Sequence, residues 1–421
     1  MKKFLTIIGM VVLTFIVVSC DKEYQNDVDK VNLNDGVEKQ EISIGNSKFA
    51  FDIFRELNEE TYDENIFISP FSISSALAMT LNGADGDTLT QMMDALRLSG
   101  MSIDDINNGY AYLNNLLINE EEYSEDDRNV DANVSIANSL WLNDMYVLNE
   151  EFREAIRSNF DGDATKLNFS NHRAVDTIND WVSGKTNELI DQIINELNYL
   201  DVLVLINTIY FNGSWSTPFN PTQTETKDFY ALDGSTVDVE MMQRRDHRMK
   251  FYEDEEMEAV KLPYGAGKYS MYVFLPNETE DINAFIENMD ADKWNLIRDS
   301  FMMYDVTLEL PKFKIEYGIK VLNDVLKNMG MEKAFDENNA EFSNMVEGFD
   351  KDDILYISKV NHKAVVEVME KGTEAAAATA VVVSTESGFL TEEREFTVNR
   401  PFMFIIADRN GNILFVGKKA S

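Results

Sequence analysis

The stretch Glu370-Lys-Gly-Thr-Glu-Ala-Ala-Ala-Ala-Thr-Ala-Val-Val-Val383 narrows what this chain can fold into more than any other. From Ala375 to Thr385 it holds no charge, no proline and no large side chain. Alanines that favour helix give way to β-branched valines, so the local preference shifts along the run towards strand. Directly after it, Glu386-Ser-Gly-Phe-Leu-Thr-Glu-Glu-Arg-Glu395 is polar and reads as an exposed loop tip. An extended segment of small, uncharged residues can slide between two strands that already exist. Bulky or charged side chains cannot, because each would have to be buried on the way in. An Ala-rich helix or a plain buried strand fits the same composition, so composition alone leaves these readings open.

The ends of the chain bound the rest. Lys2 and Lys3 precede an apolar stretch from Phe4 to Val18, too short for a comfortable membrane span and charged at its start like a secretory signal. Its end, Val17-Val-Ser-Cys20, resembles a bacterial lipobox, in which the cysteine carries the lipid and becomes the first residue. Cys20 is the only cysteine among 421 residues, so internal disulfides are excluded and the thiol sits where a lipid would attach. A chance cysteine at the end of an uncleaved signal is the other reading. Residues 1–19 are thus expected to be a lipoprotein signal peptide, and residues 20–40, polar and without helical period, a lipidated flexible tether. With 7 prolines and no linker-like run after Gln40, residues 41–421 read as a single domain. The expected location is the bacterial cell envelope, periplasmic or at the cell surface, with the membrane met only through the lipid.

Seventy-five acidic residues against 37 basic give a formal charge of −38, which argues against nucleic acid or an anionic membrane surface as partner. Enzyme chemistry needs a constellation of groups, and none is visible. His172, His247 and His362 are far apart and in no metal-ligand spacing. Gly-x-Ser-x-Gly, His-Glu-x-x-His and phosphate-cradling glycine loops are missing. Asp85-Gly-Asp87 and Asp161-Gly-Asp163 read as turns rather than calcium loops. No metal and no cofactor is expected.

A coarse pass shows helix and strand mixed, with strands concentrated late and no internal repeat. Phe49, Ala50, Ile53, Phe54 and Leu57 fall at helical spacing. Ser69-Pro70 is an N-cap followed by a first-turn proline. Val202 to Phe211 is nearly continuous apolar sequence, as a strand buried on both faces would be. Met403–Ile406 and Ile413–Val416 flank Asp408-Arg-Asn-Gly-Asn412, a hairpin pattern.

Gly372, Thr373, Glu374, Ala375, Ala376, Ala377, Ala378 and Thr379 together resemble the hinge of the serpins, protease inhibitors that take their own cleaved loop into a sheet. Further matches run in order along the chain. They are Asn65-Ile-Phe-Ile-Ser-Pro-Phe-Ser-Ile-Ser-Ser-Ala-Leu77, Ile178-Asn-Asp-Trp-Val-Ser-Gly-Lys-Thr186, and Asn207-Thr-Ile-Tyr-Phe-Asn-Gly-Ser-Trp215 with Pro218-Phe219. Asn399-Arg-Pro-Phe-Met-Phe404 and Ile413-Leu-Phe-Val-Gly417 close the series, which spans about Phe49 to Lys418. The resemblance implies an α+β serpin fold: a large central β-sheet, further sheets, about eight or nine helices and an exposed reactive-centre loop.

It implies a function and a site as well. A target serine protease (or, alternatively, a cysteine protease) would attack the loop and be trapped as a covalent acyl-enzyme while the freed loop enters the central sheet. The family's usual count sets the reactive bond at Glu386-Ser387, which implies a glutamyl-specific protease. Elastase-like or subtilisin-like cleavage near Val383–Thr385 and chymotrypsin-like cleavage at Phe389 are the alternatives. Glu370, Lys312 and Trp215 match the breach, where insertion begins. Ser69, Ser72, Asn207 and His362 match the polar shutter cluster. Several serpins are accelerated by heparin-like polyanions through a basic helix. Here the matching stretch, Asn115 to Asp131, carries Glu120, Glu121, Glu122, Glu125, Asp126 and Asp127 against Arg128 alone, so no such activator is expected. A monomer is expected. The alternative function is a non-inhibitory surface binding protein of the same fold.

Overall fold

The computed structural model describes residues 33–118, 132–186, 188, 190–349, 355–373 and 392–421, with side chains from Gln40 onward. Nine α-helices occur among them: α1 (Leu33–Glu60), α2 (Pro70–Leu81), α3 (Gly86–Ala95), α4 (Ile103–Ile118), α5 (Glu150–Phe160), α6 (Ala174–Lys185), α7 (Ile282–Glu287), α8 (Ala291–Ser300) and α9 (Asn323–Asn328). The first strands are β1 (Ile66–Ile68), β2 (Ala132–Asn143), β3 (Asp163–Leu167), β4 (Leu203–Ser214), β5 (Glu225–Tyr230), β6 (Thr236–Glu253), β7 (Met257–Pro263), β8 (Tyr269–Pro276) and β9 (Met302–Pro311). There follow β10 (Phe313–Glu316), β11 (Lys320–Val321), β12 (Ile357–Lys363), β13 (Val365–Met369), β14 (Gly372–Thr373), β15 (Glu393–Thr397), β16 (Phe402–Asp408) and β17 (Ile413–Lys419).

Two sheets carry the fold. A nine-stranded sheet runs β1-β17-β16-β8-β7-β6-β9-β15, with β5 on β6. An eight-stranded sheet is organised on β4, which pairs with β2 along one edge and with β12 and β14 along the other. The apolar run read as a strand buried on both faces is this β4, and the structure gives the reason. Leu203, Leu205, Ile209 and Phe211 face the main core, while Val204 and Ile206 pack with Trp141, Ile178 and Val182 under α6. The alternation is real, but both faces are covered. On the main-core side α2 is buried along its whole length against β4 and β17.

Local expectations are met where local chemistry decides. Phe49, Ala50, Ile53, Phe54 and Leu57 form the buried stripe of α1. Ser69 caps α2 by accepting from the Ser72 amide at 3.3 Å, with Pro70 as its first residue. Asp408 closes the β16–β17 turn by accepting from the Asn410 and Asn412 amides at 2.9 and 2.8 Å. Asp85 caps α3 and Asp161 ends α5 in the left-handed conformation, so both acidic pairs lie at helix ends. The tether needs one correction. α1 begins at Leu33, so residues 33–40 are helical backbone rather than flexible chain. Once the buried stripe from Ile42 onward has nucleated the helix, each added residue gains a hydrogen bond at little further cost. Cys20 and residues 119–131 lie outside the described residues, whereas Asn115–Ile118 form the last turn of α4.

One buried cation ties β17 to the end of α1 and to α7. Lys418, on β17, is fully buried and donates to Asn58 Oδ1 at 2.6 Å, the Tyr62 carbonyl at 2.8 Å, Asn283 Oδ1 at 3.1 Å and the Thr61 carbonyl at 3.3 Å. Burial lowers its pKa to about 8. Lys418→Met should leave those oxygens without a donor and destabilise the protein by about 2–4 kcal/mol. A lowered midpoint in thermal unfolding is the check, and an unchanged midpoint would contradict it.

Candidate functional site

The site begins at β14, the two-residue strand Gly372–Thr373 at which this described segment ends. β4 pairs with β12 in parallel from Leu203 to Thr208, then with β14 antiparallel at Gly213 and Ser214. Between these contacts, Ile209 to Asn212 on β4 and Val365 to Glu367 on β13 have no strand between them among the described residues. β14 fills the top of this slot with two residues: Gly372 opposite Ser214, and Thr373 opposite Gly213 and Val368. A Cβ at Gly372 would lie 2.0 Å from the Gly213 carbonyl oxygen, so this close crossing accepts glycine alone. Thr373 is buried, and its hydroxyl meets the Tyr264 hydroxyl at 2.7 Å.

Around that first contact the top of the slot is a dense hydrogen-bonded corner. Trp215 stacks on Tyr264 with ring centroids 4.4 Å apart. The Trp215 indole donates to the Met369 carbonyl at 2.9 Å, and its backbone amide donates to the Lys371 carbonyl at 2.8 Å. The Phe219 amide donates to the Glu370 carbonyl at 2.8 Å. Lys312 reaches Glu370 at 3.5 Å and Glu240 at 3.1 Å, and Thr224 donates to Glu370 at 2.9 Å. Burial raises the Glu370 carboxyl, but a backbone amide, Thr224 and Lys312 outweigh it and leave the pKa below its ordinary value. For Lys312, burial is outweighed by the two carboxylates, which hold the amine above its ordinary value. Glu370 is the more shielded partner, with a side chain 14% exposed against 67% for Glu240.

Lower down, a polar cluster crosses the seam between β4 and β12. The His362 Nδ1–H donates to Asn207 Oδ1 at 2.6 Å, and His362 Nε2 accepts from the Ser69 amide at 3.3 Å. Those two partners assign one neutral tautomer. The imidazole is fully buried, and burial brings its pKa down to about 3. Asn207 also donates to Ser72 and to Asn138, which in turn donates to Ser75 at 3.1 Å. Ser69 donates to the Leu414 carbonyl at 2.7 Å, linking the cluster to the second sheet.

In front of the same seam, residues 190–201 run from α6 into β4 and strap it. Asn179 on α6 accepts from the Ile193 and Ile194 amides at 2.9 and 3.1 Å. From β12, Lys359, Asn361 and Lys363, alternate residues of one face, donate to the carbonyls of Glu196, Ile193 and Gln192 at 3.0, 3.0 and 3.1 Å. Lys359 also pairs with Asp201 at 3.2 Å. A strand passing down the slot would meet these bonds.

Ser69, Ser72, Asn207 and His362 therefore share one network, and Lys312, Trp215, Glu370, Gly372 and Thr373 share another. Glu374, Ala375, Ala376, Ala377, Ala378 and Thr379, with Glu386 and Ser387, lie outside the described residues. Sequence reasoning missed Tyr264, Glu240, Thr224, Asn138, Ser75 and the strap. Only Ser75, inside the quoted Asn65–Leu77 stretch, carried a local cue. Neither network offers a nucleophile beside a base, since His362 is uncharged, fully bonded and sealed from solvent.

Because folding keeps His362 neutral while the unfolded imidazole charges below about pH 6.5, the unfolded state binds the extra proton. Stability should fall as pH drops from about 6.5 towards 3, by up to about 1.4 kcal/mol per pH unit from this group. His362→Gln should flatten that part of the profile, read from thermal midpoints of both proteins between pH 7 and 4.5. Parallel profiles would contradict it.

Comparison with known proteins agrees with this geometry. A family model described as "Serpin (serine protease inhibitor)" matches residues 44–421. An uncharacterized serpin-like protein of Methanosarcina acetivorans is 35% identical, with 92% of this chain and 88% of that protein covered. Leukocyte elastase inhibitor A of Mus musculus is 33% identical over 91% of this chain and 100% of its own length. Among solved structures, the thermophilic serpin Tengpin in the native state superposes with a TM-score of 0.81 at 32% identity, covering 90% of this chain and 94% of that one. With its α+β architecture and these relatives, the chain belongs to the serpins, a family of protease inhibitors rather than enzymes.

Proposed function

We propose that this chain is a suicide-substrate inhibitor: a target serine protease cleaves the loop between Thr373 and Glu392 and is trapped as an acyl-enzyme while the loop enters the sheet. The observation that carries this reading is β14, two residues of that loop already paired inside the slot. The protease supplies the chemistry. Its serine oxygen attacks the carbonyl of the reactive bond, the new amine leaves with the C-terminal piece, and an ester joins protease to loop. Insertion then competes with hydrolysis of that ester, and the inhibitor succeeds only when insertion is faster.

The register supports a consistent picture. Gly372 faces Ser214 and Thr373 faces Gly213, so the same antiparallel strand continued without a bulge sets Thr379 opposite Asn207 and Val383 opposite Leu203. Thr373 and Asn207 both point into the main core, and residues paired across an antiparallel ladder share a face. Ala375, Ala377 and Thr379 would then follow Thr373 inward, small where the slot is narrow. An entering strand separates Asn207 from His362, and Thr379 is the one residue between Ala375 and Ala380 with a hydroxyl to offer them. Gly372 to Glu386 spans 14 residue steps, about 46 Å of strand.

Glutamate at the reactive position favours a glutamyl-specific target, with an elastase-like or subtilisin-like enzyme cutting near Val383–Thr385 as the alternative. Lipidation at Cys20 would hold the inhibitor on the bacterial envelope, facing the periplasm or the outside, after removal of residues 1–19.

The chain from Asp21 onward, incubated with a glutamyl endopeptidase, an elastase, a subtilisin and a chymotrypsin, should give an SDS-resistant complex. The released C-terminal peptide should begin at Ser387 for the glutamyl enzyme. A complex with another start moves the bond and keeps the mechanism. Cleavage without complex points instead to a substrate-like binding protein.

Thr373→Arg tests the role of the started strand. The arginine cannot occupy the buried site beside Tyr264, so β14 should be expelled and insertion should start too late. Cleavage should persist while covalent yield falls at least about tenfold, because burying an unpaired charge costs several kcal/mol. Unchanged yield would contradict the insertion mechanism.

A further inference from the structure

Arg244 is a buried cation that neither network uses. It lies on β6 opposite the buried Leu308 of β9, and residues paired across an antiparallel ladder share a face, so both turn to the core. Only 8% of Arg244 is exposed. Its Cζ lies 4.8 Å from the centroid of the Phe219 ring, a cation–π contact that covers one side of the guanidinium. The ring gives no acceptor in the plane of the N–H groups. Nε and Nη1 are buried without a hydrogen-bond partner among the described residues. Burial pushes the pKa down to about 10, with the charge of Asp246 acting against it. Asp246 itself accepts from the Arg248 amide at 3.1 Å. Asp305 and Glu393 are held by Arg245, Glu309 by Lys227 and Glu240 by Lys312, so these carboxylates of β6, β9 and β15 are engaged elsewhere.

A guanidinium stays charged at neutral pH, and a buried charge whose N–H groups lack acceptors is the costly case in a folded protein. Water can accept the hydrogen bonds but leaves the charge uncompensated. An oxyanion does both, and arginine is the side chain whose fixed N–H geometry suits one. We propose that Arg244 holds a small oxyanion, of formate to phosphate size, and that the bound anion stiffens the corner at the head of β14. The size follows from burial, since donors so enclosed admit nothing bulky. The net charge of −38 repels anions at long range, but physiological salt screens that repulsion beyond about 8 Å, and inside that distance the guanidinium dominates. Coupling to the corner runs through Phe219, whose ring lies against Arg244 and whose amide donates to the Glu370 carbonyl at 2.8 Å. An anion would bind there whether or not the chain inhibits a protease.

Thermal unfolding tests the site, with the chain from Asp21, which keeps every described residue, beside its Arg244→Met variant. Both are measured in dilute buffer and with sodium formate or sodium phosphate added. Methionine keeps an apolar stem on Phe219 and removes the unpaired charge, so in dilute buffer the variant should unfold at or above the parent's midpoint. Added anion should reverse that order. At ten times its Kd a ligand raises the parent's folded-to-unfolded ratio about elevenfold. The variant should show only the general salt effect that both proteins share. A parent that leads or trails by the same margin with and without anion would overturn the proposal. A second measurement needs no variant. Where local opening of the corner releases the anion, hydrogen exchange at the Phe219 amide of the parent should slow by about the same elevenfold. Equal exchange rates with and without formate or phosphate would overturn the stiffening.

Discussion

Much in this molecule turns on one seam of the eight-stranded sheet, where among the described residues only the two of β14 stand between β4 and β13. Backbone N–H and C=O groups inside a protein are almost always paired, and an interior strand edge without a neighbour is a standing demand for one. Here the two edges that face the slot, Ile209–Asn212 and Val365–Glu367, lie beneath two residues of a strand already in place. The segment able to complete it begins at the next residue. Gly372 permits the first crossing because nothing larger fits against Gly213, and Thr373 anchors it on Tyr264.

What restrains the demand is a set of modest interactions crossing the same seam. Below β14 the edges are held at van der Waals and hydrogen-bond range by His362 and Asn207, with Ser69, Ser72 and Asn138 behind them. In front, three side chains of β12 grip the backbone of the strap. Each such bond contributes about 1 kcal/mol net. On the proposed mechanism their effect would come from position, since a strand entering the seam would have to break them, and the restraint would then be kinetic. The neutral state of His362 belongs to this restraint, because a charged imidazole could not accept from the Ser69 amide.

Much of this was legible in the residues, and the exceptions share a cause. α1, the capped start of α2, the hairpin of β16 and β17 and the doubly buried β4 follow from spacing, capping and turn chemistry within a few residues. The run from Ala375 to Thr385 stood out by composition, and Gly372, Thr373, Ser69, Ser72, Asn207 and His362 through family resemblance. Tyr264 lies 109 positions from Thr373, and Asn138 lies 69 from Asn207; nothing in the local pattern of either announces its partner. Glu240 looks like one more acid on an acidic chain until Lys312 is seen beside it. The strap is a plain polar connection whose role comes from what it lies across. The helical start at Leu33 was missed because tether composition weighs less than a nucleated helix immediately downstream.

By itself the sequence determined which segments can be buried, where the capped helix α2 starts, which residues are small enough to enter a closed sheet, and that no motif of catalytic residues is present. These are properties of neighbouring side chains. Only the tertiary structure decided that, among the described residues, β14 lies between β4 and β13, and that Tyr264, Glu240 and Asn138 stand beside Thr373, Lys312 and Asn207. Register and adjacency between strands far apart in the chain depend on the packing of both sheets around α2. No local run of residues encodes that distance.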